Sequence, residues 1–295
     1  MSKLRDRVVH SGRCHLDGPM YESFFSCPVI DFSNVTTYFE QHYADSQAYE
    51  KLSGSFNQAP PFPSFWMESK ARPIHPEIRS FGVFIRSVDF EQAKAEMSAI
   101  QFKVAPKWLL VGDIFDETSA QVYGPLFRTV LPIVETGETA TANGDPVFWA
   151  TNLVTGNPAE GDEIHITMDM LAPLSLALTF MHCKGVILID NAPPAPLQKK
   201  HQKKHRDAQP LVTYKTILIQ PATRVLKEEG QIDELGIAKA LHICRGHFKH
   251  FSEDHPLFGK LTGTFWWPSH IRGSEKAGIA IRDYQVNPSK DIERT

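Results

Sequence analysis

Short runs of apolar and β-branched residues, bounded by clusters of Pro, Gly and Asp, predict strands in the first two-thirds of the chain. They are Phe65–Ser69, Phe81–Val88, Trp108–Val111, Thr129–Val134 and Val147–Val154. Helical spacing is rarer. A helix is predicted through residues 36–52, capped by Asn34 or Thr36 and stopped near Gly54. Another follows Asp89, where Phe90, Ala93, Met97 and Ile100 fall on one stripe. Ile164–Cys183 is expected to begin as a strand and to become a buried helix near Thr167, its cap. Val186–Ile189 reads as a short buried strand. Beyond it the pattern gives strands at Leu211–Gln220, Leu241–Phe251, Lys260–Trp267 and Ile279–Val286, with a helix at Ile232–Ala240. The fold class is therefore α+β, mainly antiparallel sheet with few helices.

Two interruptions divide this pattern. Pro60, Pro61 and Pro63 mark a turn-rich connector before Phe65. The stronger break is residues 191–196, Asn-Ala-Pro-Pro-Ala-Pro, because prolines continue neither a helix nor a central strand. The run 199–206, KKHQKKHR, follows with five Lys/Arg, two His and no acid, and reads as a solvated loop or an electrostatic tether. Charge changes at the same place. Residues 1–198 carry a net charge of −9 and residues 199–295 a net of +6, giving −3 for the whole chain. The expectation is an acidic domain, 1–198, and a basic domain, 199–295, with 168–189 as a segment that can pack with the C-terminal sheet.

Composition narrows the class. The 295 residues are 42% hydrophobic and 22% charged, as in ordinary globular domains. The longest apolar candidate, Met168–Met181, contains Asp169 and Pro173 and reads as a core helix rather than a membrane span. The start of the chain is charged and has no apolar signal region, so the cytoplasm is the expected location, with no membrane partner. Cys14, Cys27, Cys183 and Cys244 form no CxxC and read as reduced thiols. His10, Cys14, His15 and Cys27 match no common zinc spacing. The carboxylates of residues 113–117, DIFDE, are expected in a turn after a strand. No glycine-rich phosphate loop, GxSxG elbow or HExxH is present. No cofactor and no metal are expected.

The candidate chemistry lies in Leu241–Gly273, which holds five histidines, four Lys/Arg and the pair Trp266–Trp267. On a strand, Arg245, His247 and Lys249 share one face, with Gly246 as the expected site of a bulge or close approach. His270 and Arg272 lie just beyond the next strand. If these five converge on an anion, two imidazoles supply base and acid and the cations stabilise phosphoryl charge. Trp266 or Trp267 would stack on a base, the other being core. Lys199, Lys200, Lys203, Lys204, Arg206 and Lys260 would hold the nucleic-acid backbone. A metal at His242, His247, His250 and His270 suits the alternation poorly, because His247 and His250 leave opposite faces.

This set resembles the parts of a metal-independent ribonuclease, and the basic, His-bearing antiparallel sheet is similar in outline to RelE-like and barnase-like toxins. The run LSLALTFMHCKGV, ALHICRGHFKHF, PLFGK, GTFWW and HIRG also resembles a block, about residues 174–285, in uncharacterised proteins of bacteria and their phages. That resemblance implies one folded unit and no particular activity. Three readings follow. The first is a nucleic-acid-directed protein, with RNA as partner and ribonuclease as its activity. The second is a non-catalytic regulator of phage or bacterial defence whose acidic part binds a protein. The third is an enzyme on a nucleotide-like anion.

Overall fold

The fold is α+β and its sheet is mostly antiparallel. The computed structural model describes residues 3–11, 14, 16, 19–43, 56–70, 78–95, 97–117, 122–204, 210–219, 242–244, 246–267 and 270–272. The predicted helix 232–240 and strand 279–286 lie outside these residues. So do Cys244's side chain, Arg245 and Arg206.

The predicted strands grow at their ends and assemble into one sheet. Its members are β1 (Val29–Asp31), β2 (Ser64–Ser69), β3 (Ser80–Asp89), β4 (Trp108–Glu117) and β5 (Val122–Ile133). A small pair, β6 (Thr141–Ala142) and β7 (Asp145–Pro146), precedes β8 (Trp149–Asn152), and β9 (Val186–Asn191) and β10 (Tyr214–Ile219) complete the sheet. The spatial order is β8-β5-β4-β3-β2-β1-β10-β9. Only β1 runs parallel to its neighbours, β2 and β10. The DIFDE carboxylates are not a turn. They continue β4, paired residue by residue with β3, because Ile114 and Phe115 bury on opposite faces.

Period two sorts the two faces. Phe65 and Met67 enter one core with Phe81, Val83 and Ile85, while Trp66 enters the other with Phe84 and Phe115. Trp66 lies flat where Gly82 has no side chain, and a Cβ there would overlap its ring. The first face is covered by α2 (Ser33–Tyr43) and α4 (Asp162–Met181). The second is covered by α1 (Leu4–Ser11) and a 3₁₀ turn at Pro19–Phe25.

α4 starts at Asp162, five residues earlier than the cap expected at Thr167. Asp162 and Glu163 favour its first turn, and the Thr167 hydroxyl donates to the Glu163 carbonyl inside the helix. It is the one described helix long and apolar enough to cross a membrane, and 56% of its most apolar window is buried within the protein. The predicted helix after Asp89 shrinks to α3 (Phe90–Ala93). Of its stripe only Phe90 is buried, and a short helix without a packed face is not sustained.

The interruption at 191–196 does not end the sheet. Ala195 and Pro196 open a helix, α5 (Ala195–Lys204), since a first-turn proline gives up no helical hydrogen bond. Residues 199–204 of the basic run are thus helical where a loop was expected. Beyond it, β10 sits between β1 and β9, so strands from both sides of residue 198 share one sheet. β9 is an edge strand with Ile187 and Ile189 exposed, not the buried strand expected.

Candidate functional site

The segment read as one strand, Leu241–Phe251, is two: β11 (His242–Cys244) and β12 (His247–Phe251). They pair with β14 (His270–Arg272) and β13 (Gly263–Trp267) respectively. These are two separate two-stranded ladders, and residues 245 and 268–269 between them lie outside the described residues.

Register decides which residues share a face. His247 stands opposite Trp267 and Lys249 opposite Phe265. Phe248 stands opposite Trp266 and His250 opposite Thr264. His270 and Arg272 face Cys244 and His242 across the ladder. Of the five residues expected to converge, the β12–β13 ribbon groups His247 with Lys249 and adds Trp267, while Arg245 and the side chains of His270 and Arg272 lie outside the described residues.

One side of the ribbon is anchored. Trp266 is 4% exposed and meets the rings of Phe180 at 5.1 Å and Tyr38 at 6.1 Å, with Phe248 at 4.6 Å. It belongs to the main core, so its assignment as a base-stacking residue is corrected. Trp267 is half-buried, and the Lys249 ammonium lies 4.9 Å from its ring centroid. That is a cation–π pair with an imidazole opposite it. Phe265, on the same side, is buried against Phe251 and Trp267. Lys260 is exposed in the turn that joins β12 to β13.

The second cationic element is α5. None of its residues is buried, and it carries Lys199, Lys200, His201, Lys203 and Lys204 with no acid. At about 100° per residue the four lysines fall within an arc of about 140°, and Leu197, Gln198 and His201 fall on the remaining side. Exposure agrees: the lysines are exposed, whereas Leu197, Gln198 and His201 are half-buried. Gln198 accepts the Leu211 amide at 3.1 Å, and the His201 ring meets His10 edge-on at 4.8 Å. The helix is held by one side and shows lysines on the other. The i,i+4 spacing of 199/203 and 200/204 was a signal for this stripe.

A third concentration of charge escaped the sequence reading. Along α1, Lys3, Arg5 and Asp6 are at most 6% exposed. Lys3 pairs with Asp31, lies 3.8 Å from Glu68, and covers the Tyr214 ring at 3.5 Å. Glu68 also accepts the Trp66 indole and the Arg5 amide. Arg5 donates to the carbonyls of Phe24 and Phe25, and Arg7 pairs with Glu117. Burial pushes the Glu68 carboxyl up, against the pull of Lys3. Burial also raises Asp31, but the Lys3 charge and hydrogen bond outweigh it and hold that carboxyl below its usual range. A parallel case lies on β4. Fully buried Asp113 takes Arg128 in a fork, at 2.6 and 3.0 Å, with Arg86 at 3.6 Å. These charges are closed on one another, and they fasten α1 and the strands together.

Chemistry of other kinds has little support among the described residues. No three His, Cys, Asp or Glu side chains there are grouped to hold a metal ion. Burial pushes the Cys27 and Cys183 thiols up to about 11 and about 12, so neither is a thiolate at neutral pH. No family model, no curated protein and no solved structure matches this chain.

Proposed function

We propose that the protein is nucleic-acid-directed and that the α5 lysine stripe contacts the phosphate backbone. The observation that carries the reading is the helix itself. Four lysines occupy one exposed side of a helix with no acid, while its other side is fastened to the body. Ordered positive charge at this density, with no acid on the same helix, favours a polyanion over a small anion, which needs a closed pocket. RNA is the expected nucleic acid. A regulator of phage or bacterial defence is the setting in which such binding would act.

The ribbon supports binding more directly than cleavage. Acid–base cleavage needs two proton-transfer groups on one phosphate, and on the β12–β13 ladder His247 shares its face with Lys249 and Trp267. Fluorescence anisotropy with a labelled RNA tests the reading. Four phosphate contacts predict that log affinity falls against log salt with a slope near −3 for a single strand. A flat salt response would remove the reading. The same mixtures on a denaturing gel should show intact RNA. Cleavage that survives EDTA and is abolished in His247→Ala would establish the ribonuclease instead.

A further inference from the structure

We propose that the nucleic acid is single-stranded, with one base stacked at Trp267 and its backbone led along the β9 edge to the α5 lysines. This rests on the reading above and adds a second contact, a direction and a length.

β9 connects the two cationic elements. Just before it, the Lys184 amide donates to Thr264 at 2.8 Å, and Lys184 bridges Phe265 on β13, two residues from Trp267. Just after it, four residues on, α5 begins. Between these ends β9 is the outermost strand of the sheet, with Ile187 at 43% and Ile189 at 39% exposure. Such a strip suits sugars and base edges, and Asp190, the acid on it, is already paired with Lys215 at 2.6 Å. Six strand residues span about 20 Å. At about 3.4 Å per stacked nucleotide, the β9 edge alone is as long as about six nucleotides.

Trp267 selects the single strand. The Lys249 ammonium lies over one plane of its half-buried ring at 4.9 Å, so a base stacked on the other plane would have a cation close by for its phosphate. A base inside a duplex is already stacked on both sides and cannot use it. The core side of the ribbon is filled by Trp266 and Phe248, which fixes the strand that presents Trp267.

The experiment compares wild type, Trp267→Ala and Trp267→Phe in the full chain. The probes are labelled 4- and 8-nucleotide RNA and DNA strands and a blunt 12-base-pair duplex. Trp267→Ala should weaken the 8-nucleotide strands about 10-fold, leave the duplex unchanged, and be rescued by Trp267→Phe. The 8-nucleotide strand should bind wild type much more tightly than the 4-nucleotide one. Unchanged single-strand affinity in folded Trp267→Ala, with salt-dependent binding by wild type, would overturn this proposal and leave the lysine reading standing. Equal losses on strand and duplex would also overturn it. If wild type binds no probe in a salt-dependent way, the reading beneath it falls.

Discussion

Lys3→Met should destabilise the protein by about 3–5 kcal/mol at pH 7, because it leaves Asp31 and Glu68 buried beside each other without their cation. Methionine keeps much of the side-chain volume but removes the ammonium, and with it the cation over Tyr214 as well as the ion pairs. For a chain of this size the melting temperature should drop by roughly 10 °C. The deficit should depend on pH. A carboxyl whose folded pKa is raised contributes stability below its unfolded pKa and loses it as pH rises through the folded one. Burial already raises Glu68, and removal of Lys3 raises it further. The gap between variant and wild type should therefore narrow as pH falls from 7 towards 5. Thermal melts of both proteins across that range check it, and a gap that widens would contradict the ion-pair account.

Trp266→Ala should cost about 3–5 kcal/mol, whereas Trp267→Ala should cost about 1 kcal/mol or less. The two residues are adjacent and chemically identical. Trp266 fills the space among Phe180, Tyr38 and Phe248, and no neighbouring side chain can collapse into a hole that large without leaving its own contacts. Trp267 is only half-buried. Urea unfolding of both variants measures the difference. Equal costs would mean that the ribbon is not seated on α4 as described.

The strands were readable because apolar runs bounded by turn residues survive in the sequence, and β2 and β3 agree with their expected bounds to within one residue at each end. Alternation likewise placed Trp266 and Trp267 on opposite sides of a strand. Three features were not readable. The place of β10 between β1 and β9 depends on pairings between residues nearly two hundred positions apart. A proline cluster looks the same whether it ends a structure or opens a helix, so the lysine stripe was seen as a loop. The burial of Lys3, Arg5 and Asp6 is invisible locally, because charged residues at the start of a chain ordinarily face water. Their partners, Asp31, Glu68 and the Phe24 and Phe25 carbonyls, come together only once the sheet forms.

The most direct test of the central claim is the affinity for an 8-nucleotide RNA of the full chain carrying Lys199→Ala, Lys200→Ala, Lys203→Ala and Lys204→Ala together. All four sites are exposed and alanine favours the helix, so the fold should persist. The account predicts a loss of about two to three orders of magnitude at 0.1 M salt and a nearly flat salt response. Unchanged affinity and an unchanged slope would contradict it.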